Sequence, residues 1–513
     1  MKRIPFSLII AVLALASSCS KELKQLPISA ATTETFYKQP SDFIQAVNAT
    51  YNSLRNYPDR LMALSEVRSD NIYPVNEVAR DHDPINNFSP NIAPNTFVEE
   101  AWRANFNGIF KANVVLDQIT NNGGAILTPA LATRLSAEAR FLRAFFYFDL
   151  IRYYGKVPII DRPVLASEVI NIRRSSVDSV YKFVIADLQF AIANLPATYS
   201  GTFPGYTATD VGRATKYAAE AVLGQVYMAR SGPTYGIEGP GLGVNEWALA
   251  VPLFNDIILS NQFVFNPSFT SIFSYTNQSP TANKEAIFDI MYLTGQNPVL
   301  GATYPWGLAP QDYFNSLPAG NNPANGTLGF PAVSTNLLNS YAANDARKSP
   351  TIHTSSFTHT GITYNQPFFR KYLDTTKIPA SRFDWGINFI AIRYTDILLL
   401  KAECILRGAP GSQATEVDAV VNQVRARAGL TPISNVTLAQ LLEERRREFA
   451  NEGLRWFDLQ RSGNLITIMN AWIATEDAAI KKMNQVTANH IIYPVPQSQL
   501  DAAPGLYGQN PGY

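Results

Sequence analysis

Cysteine is almost absent from this chain: two among 513 residues, Cys19 and Cys404. Cys19 stands directly behind a run of small residues at the end of an apolar leader. If it is committed to lipid there, no intrachain disulfide can form, and Cys404, inside an apolar helical stretch, reads as a small core residue. Histidine is nearly as scarce. His82, His353, His359 and His490 are the only four, and no pair has HExxH or zinc-ligand spacing, which excludes zinc sites of those kinds. There is no GxSxG and no GK[ST]. Gly236, Gly239, Gly241 and Gly243 follow a helical stretch rather than a strand, so no phosphate-binding loop is expected. Charged residues make up only 16% and balance to +1, which removes the electrostatic case for a nucleic-acid partner. Beyond the leader no run of roughly 18 apolar residues occurs, so no later helix is expected to cross a bilayer.

What is present is apolar and aromatic: 46% and 12% of residues, ample for a core. The length suits about two to four average domains or one large helical one. Residues 1–18 read as a signal peptide, with Lys2 and Arg3, an apolar core at 8–16 and small residues Ala16, Ser17 and Ser18. Residues 19–40 read as an anchor and polar tether. A lipidated Cys19 would hold the chain to a membrane without a spanning helix. Ala16 stands where the stricter lipoprotein signal has leucine, so cleavage to a soluble protein is the alternative.

Helical spacing dominates 41–262. A helix over 41–56 aligns Phe43, Val47, Tyr51 and Leu54. Residues 57–96, rich in Asn, Asp and Pro, read as a long irregular loop, and loops of that length are usually functional. Helices are then expected over 99–120, 129–154, 177–195, 214–229 and 246–260. The second of these is apolar on both sides and should be buried all round. In the fourth, Ala218, Ala221 and Gly224 leave room for a close neighbour. Together they look like stacked, tetratricopeptide-like helical pairs of loose period. Over 263–389 Pro, Gly, Asn, Ser and Thr take over, with strand-like runs such as 286–293. Helices return at 394–407 and 415–428, and the Pro-rich tail 493–513 is expected to pack as an extended strap. The chain thus reads as mainly α: a helical-pair superhelix at 41–262, and a region 263–513 made of a loop-rich face (263–389) and closing helices (390–513).

The densest charge lies in 441–463, LLEERRREFANEGLRWFDLQRSG. Glu443 and Arg447 have i,i+4 spacing and Arg445 and Glu448 i,i+3 spacing; Asn451 to Gly453 form a helix stop. Arg455, Asp458 and Arg461 share a face of a second short helix. An acid with an arginine one turn away is ordinarily ionised, so these charges read as structural, with arginine forks setting the angle between helices.

This stretch, with IRYTDILLLKAECILRG (392–408), VNQVRARAGL (421–430), the ending 491–513 and EARFLRAFFYFDLIRYYGKVPII (138–160), resembles the SusD/RagB family, the outer-membrane nutrient-binding lipoproteins of Bacteroidetes. The resemblance implies a right-handed superhelix of helical pairs and a cell-surface lipoprotein of the outer membrane, with Ser20, Lys21 and Glu22 resembling an export tag. It further implies a lid on a SusC-like TonB-dependent transporter, and a ligand site on the loop-rich face. It carries no binding residues, since its signatures do not reach the loops.

Candidate site residues therefore come from the loops. Tyr73, Asp81, His82 and Phe88 lie in the first, Tyr304, Trp306 and Tyr313 in the second, and Trp385 beside Gly386 follows Arg382 and Asp384. Aromatic faces there suit the C–H faces of sugars, while Asn, Asp and Arg bond hydroxyls. Asp81, His82 and Asp83 lack the glycine and distal glutamate of a calcium loop, leaving at most a looser structural calcium site and no cofactor. The expected function is non-catalytic capture of oligosaccharides for transport. A secreted glycoside hydrolase, or a peptide-capturing member of the same family, are the alternatives.

Overall fold

The computed structural model describes residues 36–73, 81–199, 210–279, 282–318, 326 and 330–513. The signal peptide, Cys19 and most of the tether lie outside the described residues. Helices form where apolar residues recur every three or four positions between capping side chains. They are α1 (Pro40–Tyr51), α2 (Thr96–Asn122), α3 (Pro129–Tyr154), α4 (Val177–Asn194), α5 (Lys216–Ser231) and α6 (Trp247–Leu259). Side-chain oxygens of Asn95, Thr128, Ser176 and Thr215 accept otherwise unpaired N–H groups at the starts of α2 to α5. Pro129, with no N–H to satisfy, occupies the first turn of α3.

Each helix packs on the next in the chain, from α1 on α2 through α5 on α6. Helix α3 is buried on both sides, Phe141, Phe145, Phe146 and Phe148 included. Two glycines permit the close approach. A Cβ on Gly108 of α2 would lie 2.3 Å from the ring of Phe146 in α3, and one on Gly224 of α5 would lie 2.4 Å from Phe254 in α6.

The loop-rich segment leaves after α6 and is tied off at its base. It carries β1 (Ala286–Ile290), β2 (Ile352–His353), β3 (Phe357–His359), β4 (Ile362–Tyr364), β5 (Phe368–Phe369) and β6 (Phe389–Arg393). These form three antiparallel pairs, β1–β6, β2–β5 and β3–β4. Strand β6 runs straight into α7 (Tyr394–Leu406), and α7 packs on α6, so the helical array continues across the insertion. Then come α8 (Ala419–Arg427), α9 (Leu438–Phe449), α10 (Arg455–Ser462) and α11 (Leu465–Glu476). One hydrophobic core takes in residues from Leu54 to Tyr493, so the helical and loop-rich regions share it.

Three expectations are corrected. Residues 57–96 are not irregular throughout: Tyr57–Leu61 is helical, Met62–Glu66 continues it as a wider turn, and Asp83–Asn86 adds a short helix. Leu61, Leu64 and Val67 are buried there, and packing overrides the Asn/Asp/Pro composition around them. Helix α11 was not anticipated. The tail is a strap only in part, since Gln497–Ala502 is helical. Beyond that turn, the Asn510 amide donates to the carbonyls of Tyr154 and Tyr493, holding the end on α3.

The arginines of 441–463 are structural, but most of their partners lie far along the chain. Arg445 forks onto Asp458 at 2.9 and 3.0 Å and reaches Asp396 at 2.8 Å, not Glu448. Arg455 forks onto Asp70 at 2.8 Å through both nitrogens, and Arg447 pairs with Glu444, not Glu443. Arg461 reaches both Glu403 and Asp458, at 2.7 Å each.

Candidate functional site

The helical turn at 57–66 and the loop at 303–307 both line a cavity of 210 Å³. Asp59, Met62 and Glu66 from the turn and Thr303, Tyr304, Trp306 and Gly307 from the loop line it, together with Asp81, His82 and Phe97. The walls combine flat rings with carboxyl groups. The His82 imidazole lies parallel to the Phe97 ring, centroids 4.8 Å apart and planes 10° apart. Burial lowers the His82 pKa to about 4, so the ring is neutral near pH 7, and its Nδ1 has no hydrogen-bond partner.

The acids differ in how they are held. Thr303 donates to Asp59 Oδ2 at 2.7 Å, yet burial outweighs that bond and pushes the carboxyl up to about 6. Asp81 accepts from the Thr96 hydroxyl at 2.8 Å, while its backbone carbonyl accepts from the Asn95 amide. Glu66 is pinned by three donors: the Asn71 amide at 2.8 Å and the backbone N–H groups of Asn451 and Gly453 at 3.1 and 3.0 Å. Burial still raises its pKa.

Trp306 stands half-buried at the mouth. The Arg382 guanidinium lies 4.9 Å from its ring centre and 4.7 Å from that of Phe383, which meets Trp306 edge-on at 6.3 Å. Phe383 is 44% exposed. The three side chains form an open aromatic shelf beside the cavity, braced by cation–π contact.

The structure thus brings Asp81, His82, Tyr304 and Trp306 together, although Tyr304 contributes only an edge. Its ring is buried and its hydroxyl donates to the Asn388 carbonyl at 3.1 Å. Tyr313 lies elsewhere, half-buried among His353, Phe357 and Phe368. Three expected site residues are core residues instead. Tyr73 is buried against Trp472 and donates to Asp477 at 2.6 Å. Phe88 is buried beneath the Arg68 guanidinium and beside Trp456. Trp385 is buried on a backbone bridge to Ala302, edge-on to Phe314. Each ring plugs its loop onto the frame, where its area is worth more than on the surface. Phe383 was missed: two residues before Trp385, it points outward while the tryptophan points in, and no residue in the run RFDWG says which does which.

Asp83 begins the short helix Asp83–Asn86 and accepts from the Asn87 amide. Among the described residues no three His, Cys, Asp or Glu side chains converge as metal ligands would.

Fold and site together define a helical-repeat scaffold protein that presents an acid-edged aromatic cleft from its loops. Residues 354–513 match the SusD family, and residues 28–228 match the SusD-like family described as "Starch-binding associating with outer membrane". The chain belongs to the SusD/RagB family. Among its relatives, SusD-like protein P2 of Formosa agariphila is 27% identical over 100% of both chains. SusD-like protein P25 of the same organism is 24% identical over 95% of each. Surface glycan-binding protein A from Bacteroides thetaiotaomicron, solved in complex with laminarihexaose, superposes with a TM-score of 0.75 at 24% identity, covering 93% of this chain and 100% of that one. Its counterpart from Bacteroides fluxus gives 0.75 at 22% identity, over 92% and 99%. At these identities the solved structures establish the likeness of fold.

Proposed function

We propose that the protein captures oligosaccharides at the Trp306 cleft without cutting them and passes them to a SusC-like TonB-dependent transporter, held to the outer membrane through Cys19. The observation that carries the reading is the half-exposed shelf of Trp306, Phe383 and Arg382 beside the His82–Phe97 stack. Pyranose C–H faces pack on such rings, while Asp59 and Asp81 accept hydroxyl hydrogens at the edge. The cleft is open, so affinity is modest. The complex of surface glycan-binding protein A with laminarihexaose, a relative titled "Laminarin binding SusD-like protein" and the family description as starch-binding make neutral glucans the first ligands to try.

Hydrolysis requires two carboxyl groups flanking the scissile bond, one as acid and one as base or nucleophile. Glu66 is taken up by its three donors, and Asp59 and Asp81 accept from Thr303 and Thr96, so each acid here already serves as a hydrogen-bond acceptor, which supports a binding role. On an array of neutral glycans and peptides, the protein should bind at least one glycan saturably and release no new reducing ends. Binding confined to peptides, or sustained release of reducing sugar, overturns the reading.

A further inference from the structure

A second groove lies apart from the Trp306 cleft. Two adjoining cavities of 260 and 540 Å³ share residues 211–213 and Asp289, and share no lining residue with the first site. The larger one falls in the size range of small-ligand sites, roughly 300–1,000 Å³. The segment 291–304 divides the sites: Met291, Tyr292 and Leu300 face the groove, Thr303 and Tyr304 the cleft.

Asp289 is the group that needs a partner. It sits in β1, whose five residues are all buried, and is itself 6% exposed. Its Oδ1 has no hydrogen-bond partner, and among the described residues the carboxyl joins no ion pair. Burial alone pushes it up to about 7. A carboxyl with one oxygen buried and unbonded costs stability whether charged or neutral, and an apolar side chain would serve the strand better. Its neighbours indicate what completes it. Lys284 and Arg213 line the same walls, which disfavours a cationic ligand, and Arg213 is already engaged by Glu138 and Asp210. Phe263 on one side and Tyr292 on the other supply ring surface.

From this placement we infer that the groove around Asp289 is a second saccharide site, in which adjacent hydroxyls of a neutral sugar donate to the Asp289 carboxyl while the ring packs against Phe263 or Tyr292. The inference extends the glycan-binding reading but uses none of the cleft residues, so the two can fail separately.

Native mass spectrometry of the detergent-solubilised full-length protein, with laminarihexaose and separately with maltohexaose, counts saccharides per chain. The Trp306→Ala protein should still bind one of these probes, and Asp289→Leu in that background should weaken the remaining event at least tenfold. Asp289→Leu alone should leave the Trp306 event in place. Because a change in β1 risks the fold, Gln262→Trp provides a second route: it enters from an exposed position at the groove wall and should block the same event while Asp289 stays intact. If Trp306→Ala abolishes all binding of both probes, or if the residual binding is unaffected by both Asp289→Leu and Gln262→Trp, there is no second site. If Trp306→Ala removes nothing while Asp289→Leu removes everything, the groove stands and the cleft reading falls.

Discussion

Glu448 accepts hydrogen bonds from Arg393 at 2.9 Å, Arg427 at 2.7 Å and Arg347 at 3.1 Å, and all four side chains are buried. They come from α9, β6, α8 and the loop-rich segment, so one carboxylate ties the frame to the insertion. Arg393 also forks onto Glu452 and reaches Glu285, each at 2.8 Å. Arg393→Lys should therefore destabilise the protein nearly as much as a neutral substitution, about 3–5 kcal/mol by urea denaturation, because a lysine cannot serve three carboxylates in fixed directions. Asp70 yields a pH prediction. Burial works to raise its pKa, but Arg446 and Arg455 outweigh burial and hold it at about 2. A depressed carboxyl stabilises the fold above its unfolded pKa and loses that contribution as pH falls through the folded value. Asp70→Asn should thus lower the denaturation midpoint at neutral pH, with the gap from wild type closing between about pH 4 and 2. The sequence made the charges legible as structural through their helical spacing. Their partners were not legible, because Asp70 and Glu285 reach these arginines only through the fold.

At the scale of elements, helix positions could be read closely where apolar spacing and a cap agree. Helix α3 begins at Pro129, behind Thr128, and ends at Tyr154 before Gly155, the span its pattern predicts. The turn at 57–66 could not be read, because its helicity comes from burying Leu61 and Leu64 rather than from its own composition. Helix–helix spacing leaves a sharper signature. Gly224→Val would drive a side chain into Phe254, from a starting separation of 2.4 Å. It should cost roughly 1–3 kcal/mol by thermal unfolding, since overpacking forces neighbours off their preferred positions. A melt unchanged by that substitution would mean that α5 and α6 are not packed as described.

Taken whole, the molecule is a helical array with an insertion closed at its base by β1 and β6, and the cleft sits where the insertion meets the turn at 57–66. The sequence marked the loops that line the cleft and four of the residues that meet there, Asp81, His82, Tyr304 and Trp306. It could not separate Trp306, which faces the cleft, from Trp385, which anchors a loop, since each sits in the loop-rich segment beside a turn-forming residue, Pro305 or Gly386, and they differ only in packing. The proposed attachment concerns the entire protein: Cys19→Ala should move it from the membrane to the soluble fraction on cell fractionation, and continued membrane residence would rule out a lipid anchor at that cysteine. The central claim is that exposed rings on a rigid frame hold the sugar. The binding isotherm of Trp306→Ala against wild type, for the glycan selected on the array, tests it most directly. The account predicts affinity at least tenfold weaker, about 1.4 kcal/mol, with an unchanged melting temperature. An unaltered isotherm, or a loss of binding that comes only with a collapse in melting temperature, would contradict it.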